Sequence, residues 1–184
     1  LKDTGERILI PGFYDAVRAP TPQEVAALER MDFDEEGFRQ QIGLPHFLGR
    51  LTGTELLLKH LFQPTCTVCG ISGGYEGPGV KTVLPNRATA KVDFRLVPDQ
   101  DPQQVDQQLR RHLDAQGFTD IAVESFGPLY PARTPMDDPL VQAVVQTAQE
   151  VYGVAPVVYP LTAGSGPMYE LCQRLGIPAV STGV

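Results

Sequence analysis

A strict period of two in ATAKVDFRLV, residues 88–97, sets the first limit on the fold. Apolar side chains such as Val92 and Phe94 alternate there with polar ones such as Asp93 and Arg95. Successive side chains of a β-strand point to opposite faces, so the pattern indicates a strand with one buried and one open face. Such a strand needs a neighbouring strand and a layer that covers its apolar face.

The segments around this strand indicate a layered fold. Strand signals cover 65–72, 80–97 with a break near Pro85, and 119–126. Helix signals cover 52–62, opened by a capping box at Thr52, and 101–117, where apolar residues recur at every fourth position. We therefore predict an α+β two-layer sandwich, an antiparallel four-stranded sheet with helices on one face.

The flanking segments differ in pattern. Residues 1–20 contain short strand-like runs broken by proline and glycine, which indicates a connecting arm rather than a core element. A capping box at Thr21 and Glu24 begins a helix, and a second is expected after Asp34. After residue 138, alternating helices and apolar strands predict a parallel α/β sheet. The predicted divisions are a connecting arm with a helical insertion at 1–50, the sandwich at 51–128, and a truncated α/β segment at 129–184.

Composition excludes several classes of protein. The 184 residues carry 15 basic and 22 acidic side chains, a net charge of −7, and the basic residues are scattered, so we expect no nucleic-acid partner. No run approaches the roughly 18 apolar residues of a membrane span, so no membrane partner is expected either. The chain has no initiator methionine and stops inside an apolar run, which favours an excised piece of a longer protein.

The cysteines and histidines do not predict a metal site. Three cysteines cannot all pair, and their low number favours a reducing, cytoplasmic compartment. Cys66 and Cys69 form a CxxC, but on a strand they point to opposite faces. Cys172 falls at a helical core spacing, and the three histidines lie far apart, so we expect no complete metal site within the chain.

Arg95 and the LTAGSGPMYELCQ stretch at 161–173 are the candidates for binding an anion. Arg95 could be a solvated arginine paired with Asp93, or a guanidinium fork for a carboxylate. Gly164 and Ser165 lie in a predicted strand-to-helix turn, which could be purely structural or could offer backbone N–H groups to an anion.

Thr82 is a third candidate. It follows a glycine-rich loop, GGYEGPG at 73–79, that is best explained as a flexible hairpin connection. The Thr82 hydroxyl could hydrogen-bond a substrate, although a cross-strand contact is the commoner role of a strand threonine.

Two separated stretches resemble one enzyme family. GGYEGPGVKTVLPNRATAKVDFRLVPDQDP and PLTAGSGPMYELCQRLGIPAVSTG are similar to the di-zinc metallopeptidases that include carnosinases, carboxypeptidase G, aminoacylases and succinyl-diaminopimelate desuccinylase. The likeness runs from about Leu51 onward, and residues 1–50 resemble the helical insertion of the dipeptidase-like branch. In that family a ferredoxin-like lid, which also forms the homodimer, interrupts a catalytic α/β domain.

The resemblance implies a role for each candidate. Arg95 would grip the substrate carboxylate, and Gly164 and Ser165 would contact it. Thr82 would act from the partner subunit and hydrogen-bond the scissile carbonyl or the developing oxyanion. The substrate would be a small peptide or an N-acyl amino acid. The ligands of both zinc ions would lie outside this chain, so no catalytic residue is expected within it and the chain alone should be inactive.

A non-catalytic reading stays open beside this one. An α+β sandwich of this size could instead be a binding or regulatory dimerisation module. An HxD pair and a Glu-Glu upstream in the gene, with a histidine shortly downstream, would favour the peptidase.

Overall fold

Two antiparallel strands form the sheet of this protein, whose computed structural model describes residues 1–183. Strand β1 spans Thr65–Gly73 and strand β2 spans Ala88–Arg95. Their register pairs Thr65 with Arg95 and shifts at a bulge between Val68 and Gly70. The strand predicted from the period of two is confirmed, with its regular pairing ending at Arg95.

The α+β class is confirmed, but the predicted four-stranded sheet is wrong, because residues 1–183 form a sheet of two strands. Residues 119–126 make no strand. Instead, the carbonyl groups of Phe118 and Ile121 accept hydrogen bonds from Arg110, and Phe126 is 85% exposed. Residues 80–87 likewise form no strand. At Phe118 and Ile121, the Arg110 side chain thus occupies carbonyl groups that a neighbouring strand would otherwise bond.

Six α-helices are present within residues 1–183. They are α1 Pro22–Glu29, α2 Glu35–Gln41, α3 Gly53–Phe62, α4 Pro102–Ala115, α5 Pro139–Tyr152 and α6 Met168–Leu171, with short 3₁₀ turns at Leu48–Arg50 and Gln173–Leu175. The capping box of Thr21 and Glu24 forms as predicted. The one predicted at Thr52 does not form: the Thr52 side chain makes no capping hydrogen bond, and the Gly53 N–H at the start of α3 donates to Glu35 of α2 at 2.7 Å.

The described residues after 138 contain helices but no strand of the parallel α/β sheet that the sequence predicts for this truncated segment. Helix α5 forms with an Asp138 cap and ends at Gly153, whose φ of 72° suits glycine. The apolar run around residues 157–161 makes no strand. A strand of a parallel sheet is held by hydrogen bonds to strands on either side, and residues 1–183 provide none beside this run.

The sheet core lies between the apolar face of the sheet, helix α4 and the N-terminal arm. Its buried residues are Ile8, Ile10, Phe13, Cys66 and Val105, and Val92, Phe94 and Leu109 pack against them. The expectation that residues 1–20 stay out of the core is therefore wrong. The arm can be buried because side chains satisfy its backbone, with Gln100 donating to Phe13 O at 2.9 Å and Gln108 to Gly12 O at 3.1 Å.

The helical core is the second buried cluster. It comprises Leu28 of α1 and Leu57, Leu61 and Phe62 of α3, with Leu161 packed against them. Leu161 brings the segment before residue 165 into contact with the helical core. No helix within residues 1–183 is long and apolar enough to cross a membrane.

Candidate functional site

Arg95 closes strand β2 with its guanidinium on the open side of the sheet. Its side chain is 62% exposed, and its Nε donates to Asp93 Oδ2 at 2.7 Å. Its Nη1 donates to Ser165 Oγ at 2.5 Å, across 70 positions of sequence. Two of the residues that the sequence singled out separately therefore meet in one place.

The turn that carries Ser165 is anchored at both ends. On one side Leu161 packs against the helical core. On the other, the ring of Tyr169 in α6 stacks on Tyr130 with centroids 4.7 Å apart. The predicted strand before the turn is absent and the helix after it has only four residues, so side-chain packing holds the turn in place.

A second pair of contacts fixes the segment behind this turn. The backbone N–H of Arg133 donates to Gln173 Oε1 at 2.8 Å, and the N–H of Ala179 donates to Thr134 Oγ1 at 2.9 Å. The connection at 128–135, where a domain boundary was predicted, thus contacts the C-terminal segment directly.

Gly164 lies beside Ser165 in a wide, open groove that extends from β2 to the C-terminal segment, and Arg95, Tyr130, Thr134 and Leu161 also line it. A Cβ atom added at Gly164 would meet nothing within 4 Å. The packing of residues 1–183 therefore does not require a glycine at this position.

Thr82 is not brought to this groove. It is exposed in the connection between β1 and β2 and is absent from the residues that line the groove around Arg95. The connection is partly ordered by Tyr75, whose hydroxyl donates to Pro78 O at 3.0 Å and whose ring lies 5.7 Å from Lys81 Nζ. The structure thus unites Arg95, Gly164 and Ser165 but leaves Thr82 apart.

Sequence reasoning missed a buried ionic network centred on Glu24. The carboxylate is 1% exposed and accepts two hydrogen bonds from Arg18, at 2.9 and 2.6 Å, and an ion pair from Arg133 at 3.0 Å. Burial would raise the pKa of Glu24, but hydrogen bonds from Arg18 and the Thr21 N–H, with the charge of Arg133, lower it to about 2. Only the capping-box spacing marked Glu24 in the sequence.

The described residues do not form a metal centre. Residues 1–183 contain no group of three or more histidine, cysteine or acidic side chains that could hold an ion. Cys66, Cys69 and Cys172 are free thiols, and burial raises the pKa of Cys66. Cys66 is buried and Cys69 exposed, as expected for residues on opposite faces of β1.

Comparison with known proteins gives concordant matches. The family model described as "Peptidase dimerisation domain" (M20) matches residues 23–120. Mouse Beta-Ala-His dipeptidase is 34% identical over 162 residues, which are 85% of this chain and 32% of that protein. The chain therefore spans about a third of the length of this relative.

Two solved structures resemble the chain over nearly its whole length. The M20 family metallo-carboxypeptidase Sso-CP2 from Sulfolobus solfataricus matches with a TM-score of 0.86 and 40% identity, covering 96% of this chain and 40% of that one. Human carnosine dipeptidase 1 matches with a TM-score of 0.75 and 28% identity, covering 95% and 38%. The chain belongs to the M20 peptidase family and contains its dimerisation domain.

Proposed function

We propose that this chain is the lid and dimerisation portion of a zinc-dependent, dipeptidase-like peptidase that hydrolyses an amide bond next to a free carboxylate. The observation that carries the proposal is the contact of Arg95 with Ser165 on the open side of the sheet. It joins the end of the lid strand to the glycine-serine turn at the edge of one groove.

The chemistry of this corner suits a carboxylate. A guanidinium offers a planar fork of donors that matches the two oxygens of a carboxylate. The Ser165 hydroxyl can donate to the same group, and Gly164 leaves space for it, since nothing lies within 4 Å of a Cβ there. A peptide terminus or an N-acyl amino acid would supply the anion.

The names of the relatives agree with this substrate class. One relative is a dipeptidase for Beta-Ala-His and another a carboxypeptidase, and both names denote hydrolysis of a peptide. A small peptide or N-acyl amino acid is accordingly the substrate we propose for the whole protein.

The metal centre must be supplied by other residues. Residues 1–183 do not fit two zinc ions, because they contain no cluster of ligands. We propose that residues outside this chain hold the zinc, and that this chain alone is inactive. The contribution of the present residues is to bind and orient the substrate.

Dimerisation through the lid is part of the proposal. The matched family is named for it. Within residues 1–183 no third strand pairs with either edge of the two-stranded sheet, so an edge is open to pairing with a second copy. Thr82 would then reach the substrate of the partner subunit, which is compatible with its place outside the groove of its own chain. We also propose a cytoplasmic location, because free cysteines are typical of a reducing compartment.

Replacement of Arg95 tests the proposal in the full-length protein. We expect Arg95→Ala to lower kcat/KM for a dipeptide with a free C-terminus by about 10- to 150-fold, the loss of a charge-assisted hydrogen bond. The measurement is steady-state kinetics on that dipeptide and on its C-terminal amide, for which the loss should be much smaller.

Arg111→Ala is the matched control, since Arg111 is an exposed arginine on α4. It should leave the kinetics unchanged. Equal activity of Arg95→Ala and the unmodified protein on the free dipeptide would contradict the role of Arg95. Absence of any hydrolysis by the full-length protein, with zinc, over a panel of peptides and N-acyl amino acids would favour the non-catalytic module.

A further inference from the structure

The Arg95 side chain has its Nε edge occupied. Asp93 lies two residues earlier on the same face of β2, and its Oδ2 accepts from Nε at 2.7 Å. The two side chains are 41% and 62% exposed, and ion pairs with such exposure add little to stability. Stabilisation of the strand therefore does not explain this contact.

The contact does restrict how Arg95 can bind an anion. A guanidinium can take a carboxylate side-on, through Nε and one Nη, or end-on, through Nη1 and Nη2. Asp93 fills the Nε position. Nη1 donates to Ser165, and no hydrogen bond from Nη2 is found among residues 1–183. With Nε occupied, the two Nη groups are the donors that remain for a carboxylate, and Nη1 lies at the turn that carries Ser165.

We propose that Asp93 is a positioning residue for substrate recognition. By accepting from Nε, it excludes side-on binding and fixes the Arg95 fork so that a substrate carboxylate is held end-on beside Ser165. The inference rests on the proposed function of Arg95 and adds to it the residue that sets the direction of binding.

A purely electrostatic account of Asp93 makes the opposite prediction. A second carboxylate near the fork repels an anionic substrate and partly neutralises Arg95. If charge were its main effect, removal of Asp93 would strengthen substrate binding. If orientation is its main effect, removal frees the guanidinium to rotate and weakens binding.

Two substitutions in the full-length protein separate these accounts. With a dipeptide that has a free C-terminus, we expect Asp93→Ala to raise KM about three- to tenfold with little change in kcat, because an orienting hydrogen bond is lost far from the reacting bond. Asp93→Asn keeps an oxygen acceptor for Nε without the charge, so its KM should stay within about twofold of the unmodified protein. A fall in KM for both variants would overturn the proposal.

Coupling to Arg95 provides the second readout. In an Arg95→Ala background, Asp93→Ala should have no further effect, since it acts only through the guanidinium. The effect should also disappear on the C-terminal amide of the same dipeptide. Additive losses in the double variant, or equal losses on the amide, would show that Asp93 acts by another route.

A matched control is a variant that lacks the carboxylate of another arginine–aspartate pair. Asp114 accepts from Arg110 at 2.7 Å and is 48% exposed on α4, and Asp114→Ala should leave KM unchanged. Failure of this inference is distinct from failure of the proposed function. If Arg95→Ala reduces kcat/KM and Asp93→Ala changes nothing, only the positioning role is lost, whereas an inert Arg95→Ala removes both.

Discussion

Two carboxylate–arginine pairs in this protein show what burial does to the same chemistry. Glu24 is 1% exposed and is held by both Arg18 and Arg133. Asp93 is 41% exposed and holds one arginine, whose side chain is 62% exposed and also donates to Ser165. The buried carboxylate joins the arm, α1 and the connection at 128–135, whereas the exposed one contacts an arginine that we propose as a ligand-binding group.

Removing the buried charge should have the largest effect on stability. Glu24→Gln leaves two arginines without their anion, and breaking a buried pair in this way costs several kcal/mol. Arg18 and Arg133 keep 18% and 23% of their side-chain surface exposed. We therefore expect a loss of about 3 kcal/mol in the free energy of unfolding, which is at the low end for a buried pair. Hydrogen exchange in the full-length protein would measure this loss as faster exchange at the amides of α1.

Glu36→Gln offers the comparison on the surface. Glu36 pairs with Arg39 within α2, and its side chain is 63% exposed. Exchange at α1 should be unchanged in this variant. If Glu36→Gln and Glu24→Gln accelerated exchange equally, burial would not be what distinguishes the two pairs.

Acidification should weaken the Glu24 network. The pKa of Glu24 is lowered from 4.5 to about 2 in the folded protein, so the unfolded chain takes up the proton first as the pH falls. The contribution of the network is complete above about pH 4.5 and is lost as the pH falls towards 2. Protection of the α1 amides should therefore decline over this window in the unmodified protein.

The Glu24→Gln variant supplies the reference for that titration. It lacks the titrating group, so the difference in α1 protection between it and the unmodified protein should shrink as the pH is lowered. A difference that stayed constant from pH 6 to pH 2.5 would mean that folding does not lower the pKa of Glu24.

The sequence predicted individual helices and strands better than it predicted which segments pair or pack with them. The period of two located β2, the apolar spacing located α4, and the Thr21–Glu24 capping box located the start of α1, because these signals depend on neighbouring residues. The four-stranded sheet was wrong because pairing depends on distant backbone. The burial of Ile8 and Phe13 was missed because the arm's hydrogen bonds come from Gln100 and Gln108, far along the chain.

The same limit applies to the candidate site. The alternating pattern placed Arg95 on the open face, and the glycine-serine motif indicated Ser165 as a candidate. The residues next to each of them in sequence do not indicate that the two side chains are in contact. Their contact depends on Leu161 packing on the helices and Tyr169 stacking on Tyr130. Arg133 was overlooked for a similar reason, since its partner Glu24 lies in another predicted division of the chain.

The smallest expected effect on stability belongs to Asp93. Asp93→Ala removes an exposed pair, for which about 0.5 kcal/mol or less is typical, so exchange at the amides of β2 should remain nearly unchanged. Hydrogen exchange on the same sample that shows a raised KM makes this measurement decisive. A large loss of β2 protection would mean that Asp93 supports the strand itself, and the kinetic change would then follow from a distorted sheet rather than from a misdirected guanidinium.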